Sequence, residues 1–193
     1  HGIIFVTGEV TSDAQLNFAE IVQSVYHGDA RVYVNVVKQS SFIAQGVDKG
    51  GAGDQGIMVG YACDENPEMV PQELYLARGL CKQIFKDYPF DGKTQVTLED
   101  NKITAVVASF QNAPTKDLKE IVEGWLTGQP SVSDGVQVFC NPAGEWTTGG
   151  FDADAGVTGR KLVVDNYGPA IPIGGGAFSG KDPTKVDRSA AYM

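Results

Sequence analysis

KTQVTLEDNKITAVVASF, residues 93–110, decides the fold class. Its halves, KTQVTLE (93–99) and KITAVVASF (102–110), are rich in β-branched and apolar residues, and little more than Asp100-Asn101 separates them. So short a link makes a hairpin, because a parallel pair needs a crossover of about a dozen residues or more. Helices flank it. PQELYLARGLCKQIFKDY (71–88) opens with a proline suited to a first helical turn, and Leu74, Ala77, Cys81, Ile84 and Phe85 make its predicted core stripe. TKDLKEIVEGWL (115–126) is a further helix, and VQVFC (136–140) and GRKLVVD (159–165) are further strands.

Upstream, residues 2–10 read as a strand, 13–27 as a helix with Leu16, Ala19, Val22, Val25 and Tyr26 at helical spacing, and RVYVNVV (31–37) as a strand. A glycine-rich loop is expected over 39–56, followed by a buried strand in GIMVGYA (56–62). The expected class is α+β, with largely antiparallel sheets packed on helices and β-α-β-type subdomains that echo one another.

Composition narrows the function classes. A net charge of −9 works against nonspecific binding to a phosphate backbone, so no nucleic-acid module is expected. No apolar run approaches the roughly 20 residues of a membrane span, and HGIIFVTGE lacks a signal-peptide layout, so the expectation is a cytoplasmic protein without a membrane partner. Cys63, Cys81 and Cys140 are odd in number and lack CxxC spacing, which argues for buried thiols over disulfides or zinc. Charge is nevertheless uneven. Arg160, Lys161, Lys181, Lys185 and Arg188 outnumber Asp165, Asp182 and Asp187 between positions 160 and 188, a local cationic stretch suited to a compact polyanion such as a nucleotide.

That stretch ends in GGGAFSGKDPTKVDRSAAYM (174–193). Three glycines let backbone amides approach a ligand, and Asp182-Pro183 reads as a helix cap and first-turn proline, which would aim the helix N-terminus at the loop. Lys181, Lys185, Arg188 and Ser189 would share one face, with Asp187 able to hold a divalent cation beside phosphate oxygens. Gly175 to Lys181 fits the start of a Walker A loop, but Asp182 replaces its Ser or Thr and Pro183 removes an amide. Three readings stay open here: an unusual phosphate site, a glycine-rich turn with solvated lysines, and a true P-loop. GAGDQG (51–56) suits a small zwitterion or an ordinary turn, and Glu9 is a site candidate only if its strand is buried.

GAGDQGIMVGYA (51–62), DAGVTGRKLVVD (154–165) and GGGAFSGKDPTKVDRSAAY (174–192) closely resemble the signature segments of methionine adenosyltransferases, the S-adenosylmethionine synthetase family. TGE (7–9), IAQGV (43–47), DGKTQVT (91–97) and NPAGEWTTGG (141–150) extend the likeness over nearly the whole chain. The resemblance implies a three-part α+β architecture: residues 1–50 ending the first part, 51–149 forming the central one and 150–193 beginning the third. It also implies S-adenosylmethionine formation from ATP and L-methionine, with release of phosphate and diphosphate, Mg²⁺ and K⁺ as cofactors, and sites at the interface of a homodimer or dimer of dimers.

By that likeness Lys93, Arg160, Lys161, Lys181 and Lys185 carry the catalytic charge, and Asp91, Gly92, Trp146, Asp154 and Ala177 join Lys93, Arg160, Lys161 and Lys181 around ATP. Glu9, Gln45, Asp54, Asp154 and Lys185 match methionine-binding positions, and Asp187 matches a metal position. The chain departs from the family pattern in several places. HPDK is absent from the sequence, Glu145-Trp146 stands where relatives have Arg-Phe, the Gln45–Gly51 loop is short, and Asn166 and Pro169 alter DTYGG. A noncatalytic nucleotide-binding subunit that needs a partner chain is the alternative reading.

Overall fold

A computed structural model describes residues 2–52, 56–157 and 159–193. In chain order the elements are β1 (Ile3–Glu9), α1 (Phe18–Val25), β2 (Arg31–Val37), α2 (Ser41–Val47), α3 (Gln72–Asp87), β3 (Gly92–Glu99), β4 (Lys102–Phe110), α4 (Thr115–Thr127), β5 (Val132–Cys140), α5 (Gly150–Ala153), α6 (Leu162–Asp165) and α7 (Val186–Ala191). The mixture is α+β. Two compact units result, one of His1–Met58 with Gly174–Met193 and the other of Val59–Ile173.

The second unit is built on the hairpin. β3 and β4 pair antiparallel from Gly92↔Phe110 to Glu99↔Lys102, and Asp100 and Asn101 both take positive φ, 49° and 59°. That is the requirement of a two-residue turn whose twist matches the strands it joins. β5 completes a sheet of order β3-β4-β5, and α3 and α4 cover it. In α4 Leu118, Val122, Trp125 and Leu126 fall on one stripe, and they bury against Val96, Ile103, Val106, Ala108 and Phe110 of the strands.

Several expectations are corrected. Antiparallel pairing holds for β3–β4, but β1–β2 and β4–β5 are parallel. Each parallel pair is joined through a helix, α1 or α4, which supplies the crossover that parallel pairing requires. The β-α-β unit read over residues 2–37 is present as β1-α1-β2, and β4-α4-β5 is a second unit of that type. The buried face of α3 is Leu76, Leu80 and Ile84; of the expected stripe Ile84 is fully buried and Ala77 and Cys81 pack in part against the core, while Phe85 remains half exposed at 51%. Contact with the sheet turns the buried face toward Leu76 and Leu80.

Residues 39–56 include α2 in place of a continuous loop, started by the Ser40 side chain accepting from Phe42 N. GRKLVVD forms the single turn α6 instead of a strand, its Val164 carbonyl and that of Asn166 held by Arg78. Residues 56–62 join no ladder among the described residues. Tyr61 there packs at 6.0 Å from the ring of Tyr167.

The first unit has a different character. β1 and β2 pair from Ile3↔Arg31 to Glu9↔Val37, and Phe5 stacks on its partner Tyr33 with ring centroids 5.2 Å apart. None of the described core residues belongs to it.

Among the described residues one polar side chain is buried inside the second unit. Asn141, 4% exposed, accepts from Phe110 N at 3.2 Å and donates to Ala113 O at 2.9 Å. Its φ of +44° is one that asparagine tolerates better than alanine does. We expect Asn141→Ala to destabilise the protein by about 2–4 kcal/mol in urea unfolding, because two buried backbone groups lose their partners. Asn141→Gly should lose nearly as much despite relaxing the backbone, and full stability in that variant would contradict the assignment.

Candidate functional site

Some of the residues singled out in the sequence gather in two places, one in each unit. In the second unit the gathering point is the end of the hairpin. Lys93 on β3 faces Ser109 on β4, and the Trp146 indole Nε1 donates to the Ser109 Oγ at 3.0 Å. The segment after β5 is strapped over this end: Asn112 N donates to the Trp146 carbonyl at 2.9 Å, Gln111 Nε2 to the Thr147 carbonyl at 2.8 Å and Gly150 N to the Asp91 carboxylate at 3.2 Å.

Glycine is required in two places here. A Cβ on Gly92 would come within 2.3 Å of the Phe110 ring, and one on Gly149 within 2.3 Å of Gln111 Oε1 and 2.9 Å of the Trp146 ring. Asp91, Gly92, Lys93 and Trp146 thus lie together at this end of the hairpin. Beside them runs a groove of about 710 Å³ whose lining includes Lys93, Ser109, Leu74, Ala77, Cys81 and Val164. Three members of the stripe assigned to the α3 core from sequence, Leu74, Ala77 and Cys81, therefore line a groove wall, Ala77 and Cys81 while also packing against the core.

Arg160 and Lys161 sit exposed just before α6, and Asp154 is exposed after α5. Lys93, Arg160 and Lys161 make no ion pair among the described residues. Glu145 accepts from Thr115 N at 2.7 Å and so holds the start of α4.

In the first unit the glycine loop is organised by Asp187. Its Oδ1 accepts from Gly176 N at 2.5 Å and its Oδ2 pairs with Lys181 Nζ at 2.9 Å. Arg188, the next residue, donates to the Lys181 carbonyl and to the Tyr192 hydroxyl. Gly175 takes φ +87°, and a Cβ there would meet Met58 Sδ at 2.4 Å and Asp187 Oδ1 at 3.1 Å. The hydrogen bond from Gly176 and then the Lys181 ammonium hold the Asp187 carboxyl below the ordinary aspartate range.

The expected helix cap is corrected. Asp182 accepts from Thr184 N at 2.9 Å and from Thr184 Oγ1 at 2.6 Å, which lowers its own pKa, and the helix begins only at Val186. Asp-Pro-Thr closes a local turn first, so the lysines at 181 and 185 precede α7 instead of lining its face. The amide of Gly176 is spent on Asp187, so the loop is not a Walker A cradle. Ala177 lies in this loop, whereas Glu9 and Gln45 are exposed on β1 and α2 with no described hydrogen bond to it. Asp54 lies outside the described residues.

Among the described residues no group of three or more His, Cys, Asp or Glu gathers as a metal site. Asp187 is a single carboxylate with both oxygens engaged, whereas a protein-held Mg²⁺ wants near-octahedral oxygen ligation. By themselves these residues do not fit a resident metal, and no chemistry below runs through one.

Comparison with known proteins identifies the class. A structure titled as that of an unusual S-adenosylmethionine synthetase from Campylobacter jejuni superposes on 98% of this chain and 59% of its own, with TM-score 0.79 and 30% identity. The fold is therefore the S-adenosylmethionine synthetase fold. The S-adenosylmethionine synthetase central-domain profile matches residues 49–146 and the C-terminal-domain profile matches residues 148–193. The S-adenosylmethionine synthase of Paramagnetospirillum magneticum (strain ATCC 700264 / AMB-1) is 41% identical over 234 aligned residues, covering 98% of this chain and 59% of that protein. The chain belongs to the S-adenosylmethionine synthetase family, and it spans 59% of the length of these relatives.

Sequence reasoning missed Ser109, Gln111, Glu145 and Tyr192 as organising groups. Ser109 was the detectable one, a lone hydroxyl near the end of an apolar strand. For Asp187, a folded pKa below the ordinary 3.8 means that its contribution to stability is complete above that value and lost as pH falls through the lowered folded value. The side-chain carboxyl ¹³C resonance of Asp187 should accordingly titrate below pH 3.8, and a midpoint at or above it would rule out the loop geometry.

Proposed function

We propose that this chain is part of a methionine adenosyltransferase and contributes to forming S-adenosylmethionine from ATP and L-methionine. The observation that carries the reading is the match of two adjacent domain profiles, in family order, over residues 49–146 and 148–193. In this reaction the methionine sulfur attacks the ribose C5′ of ATP. The sulfur lone pair forms the new S–C bond, the C5′–O bond breaks, and its electrons leave with tripolyphosphate, which water then cleaves to diphosphate and phosphate. Sulfur is already a good nucleophile, so catalysis reduces to in-line positioning and stabilisation of a highly charged leaving group.

The residues divide accordingly. Lys93, Arg160, Lys161, Lys181 and Lys185 supply positive charge to the polyphosphate, and Asp91, Gly92, Asp154 and Ala177 complete the nucleotide site. Trp146 presents its ring to the adenine. Its hydrogen bond to Ser109 supports this role by fixing the plane of the indole beside Lys93. Glu9, Gln45, Asp54, Asp154 and Lys185 form the methionine side. Mg²⁺ and K⁺ would enter with the ATP substrate, and Asp187 is the residue of this chain whose position matches the metal side of the family. The protein works as a homodimer or dimer of dimers in the cytoplasm, with no nucleic-acid or membrane partner. No described helix is long and apolar enough to cross a membrane.

Each phosphate-side lysine tests the reading. Lys181→Ala and Lys93→Ala should each weaken ATP binding by roughly ten- to a hundredfold, from the loss of about 1.5–3 kcal/mol of charge-assisted contact. Calorimetry with ATP, and chromatographic assay of S-adenosylmethionine, measure this on the intact protein. Unchanged binding in both variants would remove the phosphate assignment.

ATP should also quench Trp146 fluorescence, and Trp146→Phe should abolish the response. Trp125, 8% exposed in the core, is the other tryptophan and should report nothing. A full ATP signal in Trp146→Phe would refute the stacking.

A further inference from the structure

Lys181 is held at both of its ends. Its ammonium meets Asp187 Oδ2 at 2.9 Å, and its main-chain carbonyl accepts from the Arg188 guanidinium. The two restraining residues are neighbours at the start of α7, so one short segment fixes both the base and the tip of the lysine. Arg188 is itself anchored, because its Nε and Nη2 face the Tyr192 hydroxyl at 3.4 and 3.2 Å, one helical turn further on. The same segment reaches the glycine run, where Asp187 Oδ1 takes the Gly176 amide at 2.5 Å.

A free lysine has a flexible four-carbon stem and loses rotamer entropy when it engages an anion. Its backbone would otherwise move as well, since Gly180 beside it takes φ +76° and the triple glycine lies a few residues before. Arginine suits the restraining role better than lysine does, because its planar fork can donate to the carbonyl and to the tyrosine oxygen at once.

We infer that Arg188, anchored by Tyr192, is a positioning residue that presents Lys181 to the polyphosphate of the substrate without touching the substrate itself. This rests on the phosphate role proposed for Lys181. Asp187 completes the arrangement by holding the ammonium until phosphate oxygens compete for it. The clamp lies entirely within residues 174–193 and uses no other part of the chain.

The consequence is a thermodynamic coupling. A residue that acts through Lys181 has nothing to act on once Lys181 is gone, so its effect must vanish in that background. The experiment is a double-mutant cycle on the intact protein, with ATP affinity read by calorimetry and thermal unfolding followed in parallel. Arg188→Ala and the milder Arg188→Lys should each weaken ATP binding by about tenfold, the scale of one charge-assisted contact.

In a Lys181→Ala background neither substitution at Arg188 should weaken binding further. Full additivity would overturn the inference, since Arg188 would then act on ATP directly or on the fold at large. So would unchanged ATP binding in both Arg188 variants when Lys181→Ala alone is impaired. If Lys181→Ala itself binds ATP normally, the phosphate role of Lys181 fails first and the inference falls with it, a different pattern from either of the others.

Discussion

The buried amide of Asn141 stands at the exit of β5, where three parts of the second unit meet, and its hydrogen bonds decide how the chain leaves the core. Accepting from Phe110 N and donating to Ala113 O, it ties the end of β4 to the approach of α4. Its own backbone N–H continues the parallel ladder onto Ala108 O. Burial makes these bonds compulsory, because an unpaired amide in that position would cost more than a solvated one. From Asn141 the chain runs on through Glu145, Trp146 and Gly149, which lie over the end of the hairpin. The further bonds of this strap, from Thr115 N to Glu145 and from Gln111 to Thr147 O, connect it to elements already fixed by Asn141.

How much of this could be read from residues alone depends on whether the deciding interaction was local. The hairpin was legible because a two-residue link between apolar runs leaves one way to pair. The parallel partner of β4 was not, because β4 and β5 are brought together by packing of α4 on the sheet. α3 shows the same boundary within one helix. Its period was evident, but Leu76, Leu80 and Ile84 and the neighbouring stripe of Leu74, Ala77 and Cys81 both satisfy it. Only the sheet distinguishes core from groove. Asp182-Pro183 misled for a different reason: Asp182 finds both donors of Thr184 within its own turn, so it caps that turn before a helix can form.

The candidate site divides along the same line. Asp91, Gly92, Lys93 and Trp146 were named through a family likeness, and the structure supplies a reason for their company in the strap over the hairpin end. Glu9 and Gln45 have no such reason within the first unit. That unit leaves Phe5 and Phe42 exposed at 73% and 82% and contributes nothing to the described core. Apolar side chains in that state do not stabilise a fold by burial, so β1 and β2 rely on their ladder and on the Phe5–Tyr33 stack. Site residues that sit on such a sheet are placed by backbone register more than by packed neighbours.

The charge count of the glycine loop overstates what it offers to an anion. Lys181 is neutralised by Asp187, and Arg188 spends its donors on a carbonyl and a hydroxyl. A chain at net −9 cannot draw a polyphosphate by long-range attraction alone, and exposed cations are screened over roughly 8 Å at physiological ionic strength. Affinity must then come from donors whose positions are settled before the ligand arrives, so that little ordering remains to be done on binding. The Asp187–Lys181 pair fits that demand despite cancelling a charge. It keeps the ammonium in place, and a phosphate oxygen that takes over from the carboxylate meets a lysine already immobilised at its base. Under the phosphate role proposed for Lys181, Asp187 is therefore part of the site, since it sets where that one cation waits.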